Sequence, residues 1–262
     1  MELGSDTRVV VTGASRGIGR AIAQAFAERG CRVGLVARSG EELEELVRAL
    51  PGQGHEALTA DVGDRDELSG AIERFGRVDV TVANAGVAHY GPFRDMDLDK
   101  VDLMTRVNWL GTVNTVAATL PAMLDRGSGH LVVVSSGAAL RTFPSAAVYG
   151  ATKSAQRGFA EALRHELSGT GVSLTTVYPG EVASHLHDHD QANMPDWYEG
   201  KENVAPAGPL GTAVVAAVEN DDRAVYYPRM VRALRVMHGI SPRLADRVMR
   251  TLRGASAASR MD

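Results

Sequence analysis

Arg8-Val-Val-Val-Thr-Gly-Ala-Ser-Arg-Gly-Ile-Gly19 decides the fold. The β-branched run from 8 to 12 predicts a short strand buried on both faces, as in a parallel sheet. Three glycines follow at once. Apolar residues at Ile18, Ile22, Ala25 and Phe26 then recur at helical spacing until Gly30 stops them. Strand, glycine turn and helix in that order make the context of a phosphate-binding loop. Glycines let the main chain approach a pyrophosphate, and the helix N-terminus offers it unpaired N–H groups. The spacing is G-x-x-x-G-x-G rather than the commoner G-x-G-x-x-G, and a tight structural turn is the plainer alternative.

The pattern then repeats. A second strand over 32–37 ends in Arg38-Ser39-Gly40, where a doubly wound fold faces the adenosine ribose. An acid there selects a free 2′-hydroxyl and an arginine a 2′-phosphate, so Arg38, Ser39 and Arg16 predict NADP(H) over NAD(H). An acidic amphipathic helix over 41–50 leads to a third strand ending in Ala60-Asp61-Val62. Asp64 and Glu67 form a capping box for a helix reaching Phe75. A fourth strand, 78–83, delivers Asn84-Ala85-Gly86. A long helix opened by Asp97 or Asp99 carries Asn108 in its middle, with a kink expected at Pro121. Further strands over 130–134, 172–178 and 224–227 alternate with helices over about 149–167 and 210–218. This alternation predicts one α/β domain: a doubly wound parallel sheet of about seven strands with helices on both faces.

Tyr149-Gly-Ala-Thr-Lys153 is the stretch that carries chemistry. A phenol and an ammonium four apart share one helix face. A free phenol titrates near ~10, and a nearby cation is expected to lower it toward the working range. Ser136, thirteen residues earlier, could hold a substrate oxygen against it. That is a site for moving a proton on a C–O group, and a nicotinamide would supply the accompanying hydride.

The chain has 262 residues, 44% hydrophobic and 23% charged, with a net charge of −4 that argues against nucleic-acid binding. One cysteine, Cys31, excludes an internal disulfide and suits a reducing compartment. Neither a signal-peptide pattern nor an uninterrupted membrane span is present, so a soluble, cytoplasmic protein is expected.

Taken together, these motifs resemble the classical short-chain dehydrogenase/reductase (SDR) family, from about residue 7 to residue 228. The segment from Thr12 through Gly13, Ser15, Arg16, Gly17 and Ile18 to Gly19 resembles its coenzyme loop. Asp61-Val62 resembles its adenine contact, and Asn84-Ala85-Gly86 its sheet-stabilising motif. Pro179-Gly180 with Val182 and Ser184 resembles the nicotinamide segment, with serine at Ser184 where threonine is commoner. Asn108, Ser136, Tyr149 and Lys153 fall on the catalytic positions. The resemblance implies a Rossmann fold and an oxidoreductase that interconverts a carbonyl and an alcohol, chiefly by reduction with NADPH. Tyr149 is then the general acid or base, and Lys153 lowers its pKa and binds the nicotinamide ribose. Ser136 polarises the substrate oxygen, and Asn108 holds a water linking Lys153 to solvent. A homodimer or homotetramer is implied by the same likeness, with the Asn108 and Tyr149 helices packing between subunits. The alternatives are an NADP(H)-binding regulatory protein without turnover, and a redox-neutral reaction on the same scaffold.

Residues about 184–205 are expected to form a flexible polar lid over the substrate. His185, His187 and His189 alternate there at no standard zinc spacing, so no metal is expected. His89, Tyr90 and Phe93, with residues 140–143, are expected to form the other walls. From 223 onward nine arginines meet two acids, and 229–253 reads as a basic amphipathic extension broken at Ser241-Pro242. Such helices fit an anionic membrane surface or an acidic carrier; packing on the chain's own domain or a sister subunit is the plainer reading. Residues 254–262 are expected to be disordered.

Overall fold

The computed structural model describes residues 1–183, 186, 204–233, 236 and 241. Seven parallel strands form one sheet in the order β3-β2-β1-β4-β5-β6-β7. They are β1 (Arg8–Thr12), β2 (Arg32–Ala37), β3 (Glu56–Thr59), β4 (Val80–Ala83), β5 (Gly129–Val134), β6 (Val172–Pro179) and β7 (Ala224–Tyr227). The order reverses between β1 and β4, which opens a crevice at the carboxyl ends of the strands.

Alternation along the strands builds two cores. Val9 and Val11 of β1, with Val132 and Val134 of β5, pack on one face against α1 (Gly17–Glu28), α2 (Gly40–Ala49) and α8 (Ala207–Asn220). Val10, Leu131 and Val133 point the other way, toward α3 (Arg65–Phe75), α5 (Gly111–Ala117), α6 (Leu120–Asp125) and α7 (Ala147–Glu166). Phe26 and Phe75, both fully buried, sit in opposite cores, and each contributes roughly 2–3 kcal/mol by leaving water. Among the described residues, no helix is long and apolar enough to cross a membrane.

The long helix differs from the expectation. Asp97 caps α4 (Leu98–Met104), after which Thr105–Leu110 winds as a π-helix carrying Asn108, and α5 continues the axis. The break falls at 118–119, with Pro121 inside the first turn of α6, where a proline costs nothing. The capping box is also only half formed. Asp64 accepts from Asp66 N and Glu67 N, but Glu67 Oε2 reaches back to Asp61 N at 3.0 Å.

The glycine turn is held by close approach. Gly13 has φ +65°, and a β-carbon on Gly19 would stand 2.2 Å from Gly13 O and 2.5 Å from Asn84 Nδ2. Neither neighbour can yield without breaking the β1–β4 junction. Gly19→Ala is therefore expected to destabilise the fold by about 1–3 kcal/mol. Thermal unfolding checks this; an unchanged midpoint would show that the turn can widen.

Candidate active site

Thr12, at the carboxyl end of β1, ties the crevice together. Its hydroxyl donates to Val82 O at 3.3 Å and accepts from Asn84 N at 3.0 Å and Ala85 N at 3.2 Å. Asn84 Nδ2 donates to Thr12 O at 2.8 Å and to Gly13 O at 3.3 Å. The Asn84-Ala85-Gly86 turn and the coenzyme loop are thus one hydrogen-bonded unit. α1 begins at Gly17 (φ +56°), has no side-chain cap and carries no acid in its first turn. Its leading N–H groups and positive dipole end remain for an anion, an arrangement that fits a dinucleotide's pyrophosphate. Ser15 and Ile18 lie in the same turn, half-buried.

The adenosine end is less simply cationic than expected. Arg38 is exposed at the end of β2, and Ser39 leads into α2 without capping it. Arg16 Nη2 lies 3.7 Å from Glu42 Oε1, with both side chains partly exposed. The other carboxylate oxygen, Glu42 Oε2, is buried without a hydrogen bond among the described residues. One of the two expected cations therefore already faces a carboxylate. Asp61 Oδ1 accepts from Gly63 N at 2.8 Å and Oδ2 lies 3.6 Å from Arg106 Nη1, while Val62 is buried and its carbonyl accepts from Asn114 Nδ2 at 2.9 Å.

The four expected catalytic residues converge at the ends of β4 and β5. Ser136 follows β5, and its Oγ accepts from Ala138 N at 3.1 Å; it also shares a hydrogen bond with Tyr149. Tyr149 and Lys153 are both buried on α7, and the ammonium stands 5.9 Å from the centre of the Tyr149 ring. Lys153 Nζ donates to Val134 O at 3.2 Å, and Ser135 Oγ holds the Lys153 carbonyl at 2.8 Å. A β-carbon on Gly86 would stand 3.3 Å from Asn108 Oδ1 and 3.5 Å from Lys153 Nζ, so the bare glycine leaves room for both. Asn108 is fully buried. Its amide exchanges two hydrogen bonds with Val87, at 2.8 and 2.9 Å, and donates to Thr152 Oγ1 at 3.0 Å. Its carbonyl accepts from Thr112 Oγ1 at 2.8 Å and Gln156 Nε2 at 2.9 Å. Protein partners therefore engage the groups that would hold a relay water.

The electrostatics correct one expectation. Burial pushes the Tyr149 phenol up from its usual range, and the Ser136 hydrogen bond offsets part of that. Burial also lowers the Lys153 ammonium from its usual range to about 7. Spacing alone had pointed to a phenol acidified by lysine; burial of both groups instead sets the direction of each shift.

Tyr90 packs against Tyr149, with ring centroids 5.8 Å apart, and stacks with Phe143 at 6.1 Å. These two side chains wall the phenol as expected. Phe93 is 64% exposed, and Leu140 packs away from the site with Tyr178 and Val231. Pro179 ends β6, Gly180 N donates to Tyr227 O at 2.7 Å, and Val182 is buried in the core and bridges Ala205. Ser184, the three alternate histidines, most of the lid, most of the extension beyond 233 and the tail lie outside the described residues. Residue spacing did not single out Glu42, Thr112, Thr152 or Gln156, polar residues with partners distant in sequence.

Comparison with known proteins agrees with this geometry. A family model described as short chain dehydrogenase matches residues 7–195. An uncharacterised oxidoreductase of Listeria monocytogenes is 39% identical over 186 residues, 68% of this chain and 75% of that protein. A short-chain dehydrogenase from Sphingobium yanoikuyae, solved with NADPH, superposes with a TM-score of 0.78 at 27% identity, covering 87% of this chain and 90% of that one. A short-chain dehydrogenase/reductase from Burkholderia phymatum, solved with NAD, reaches a TM-score of 0.84 over 93% of this chain and 96% of that one; at 22% identity it speaks for the fold.

Proposed function

The chain belongs to the short-chain dehydrogenase family, and on that premise we propose that it is an NADP(H)-dependent oxidoreductase interconverting a carbonyl and an alcohol, working in the reductive direction. The observation carrying this reading is the buried Tyr149 phenol, hydrogen-bonded to Ser136 and one turn from Lys153, at the same carboxyl ends of the strands as the glycine loop. When bound, the nicotinamide supplies the hydride. The chain's own residues do the rest.

A carbonyl oxygen placed between Ser136 and Tyr149 meets two hydroxyl donors where negative charge develops. Burial keeps the phenol protonated, and the protonated form is the one that must give its proton to the nascent alkoxide. Reduction needs the neutral phenol, whereas oxidation needs its phenolate, which burial disfavours. Lys153 stands ready to stabilise the phenolate left after the transfer, and Tyr90 and Phe143 keep bulk water from the phenol. Asn108 holds the Gly86–Val87 backbone beside the ammonium.

The cofactor choice rests on Arg16, Arg38 and Ser39, opposed by Glu42. Arg38→Asp is expected to lower the NADPH-to-NADH ratio of kcat/KM by roughly tenfold or more, the worth of one charge-assisted bond. Glu42→Gln, which releases Arg16, should raise it by about a few-fold. Steady-state kinetics with both cofactors read the two ratios, and a ratio indifferent to Arg38→Asp removes the 2′-phosphate contact.

A panel of ketones and aldehydes with purified protein and NADPH tests the activity itself. Carbonyl-dependent loss of dihydronicotinamide absorbance is the expected result. Tight NADPH binding with no consumption across the panel would favour a silent cofactor-binding protein. Exposed Leu98 and Leu110 on the helix carrying Asn108 support association of copies through that face.

A further inference from the structure

Gln156 lies one turn beyond Lys153 on α7 and is 0% exposed. Its Nε2 donates to Asn108 O at 2.9 Å and to Thr112 Oγ1 at 2.6 Å. The Thr112 hydroxyl donates in turn to the same Asn108 carbonyl at 2.8 Å. Gln156 Oε1 is buried and has no hydrogen-bond partner among the described residues. An apolar side chain would fill this space without leaving an unpaired acceptor, and buried acceptors of that kind are costly. The amide's place is explained by its donor half.

The donor half acts on an irregular stretch of helix. Asn108 sits in the π-turn Thr105–Leu110, and single π-turns are wider than the α-helix and recur at functional sites. Gln156 and Thr112 hold the Asn108 carbonyl from two sides, which fixes that residue's main chain. The side chain then reaches Val87 N and O. Val87 follows Gly86, whose α-carbon faces both Asn108 Oδ1 and Lys153 Nζ. Hydrogen bonds therefore run from Gln156 through Asn108 to Val87, the neighbouring bare Gly86 borders the space beside the ammonium, and Lys153 and Gln156 share one face of α7.

We propose that Gln156 is a positioning residue: it clamps the π-turn to α7, so that Asn108 holds the 86–87 backbone against Lys153 and fixes where the ammonium stands beside Tyr149. The proposal rests on the reading of Tyr149 and Lys153 as the proton-handling pair, but its test does not use turnover.

The chain has three lysines, Lys100, Lys153 and Lys201. Carbon-13 labelling at lysine Cε therefore gives three titrating NMR signals in the full chain, and the one missing from Lys153→Met is Lys153. Gln156→Met keeps the length and volume and removes the donor. Loosening the clamp should let water reach the ammonium, so the Lys153 titration should move at least about half a pH unit toward the ordinary lysine range. Thr112→Val removes the second donor to the same carbonyl and should move it the same way, by less. A role confined to packing would lower the melting temperature and leave the titration in place. An unmoved Lys153 titration in Gln156→Met overturns the clamp, and if that variant does not fold, an unmoved titration in Thr112→Val overturns it instead. Failure here leaves the acid role of Tyr149 standing, because that role is decided by the turnover of Tyr149→Phe.

Discussion

Tyr149→Phe is expected to lower the rate of carbonyl reduction by about 10²- to 10⁴-fold, the range that a positioned general acid contributes. NADPH binding should be nearly untouched. The substitution removes one oxygen and keeps the ring, so the packing against Tyr90 and the buried face of α7 survives. What is lost is the proton donor and its hydrogen bond with Ser136. Fluorescence titration with NADPH and single-turnover kinetics separate the two effects. Undiminished turnover removes the acid role, whereas equal loss of binding and turnover points to a misfolded site.

Lys153→Met should cost activity and yield stability at the same time. The folded pKa of Lys153 is lowered from its usual range to about 7. Between that value and the ordinary lysine range the unfolded chain binds the extra proton, so the wild-type protein gains stability as pH rises through this window. Below it the folded state carries a buried charge, and the full penalty is present. Methionine fills a similar volume and never ionises. The variant is therefore expected to be more stable than wild type at pH 6 by on the order of a few kcal/mol, less the lost bond to Val134 O. The gap should close toward alkaline pH. Denaturant unfolding at two pH values measures it. A variant less stable than wild type at both would show that Lys153 is held by more than its desolvation allows. Turnover should fall by about 10²-fold or more in the same protein, because the phenolate loses its neighbouring cation.

The strands were largely legible, because valine runs punctuated by glycine and asparagine turns leave little choice of period, whereas their order in the sheet came only from the structure. Asn108, Ser136, Tyr149 and Lys153 were picked out as candidates by their residue types and spacing, and α7 and the ends of β4 and β5 bring these four side chains near one another. Distant polar contacts were less so. The π-turn at Asn108 adds one residue to a helix turn with no proline or glycine inside it, and Gly111 directly after it reads as an ordinary helix residue. Glu42 escaped notice because Arg16 and Arg38 were weighed only as cations for a phosphate, while the carboxylate that faces Arg16 sits on α2, in another stretch of the chain. Glu67 matches the capping-box spacing yet serves Asp61, since a carboxylate on a helix's first turn can bond whichever backbone N–H lies nearest. The Tyr149–Lys153 spacing gave their adjacency but not the sign of the pKa change, which depends on burial that spacing does not encode.

Hydride transfer to a carbonyl, with Tyr149 supplying the proton, leaves an isotopic mark on the product. NADPH deuterated at the transferable position of the nicotinamide, incubated with the protein and a carbonyl it consumes, tests it most directly. The expected product is an alcohol carrying one deuterium on the former carbonyl carbon, with one NADP+ formed per product. Product formed without deuterium, with the cofactor returned unchanged, would contradict it and point to redox-neutral chemistry in the same cleft.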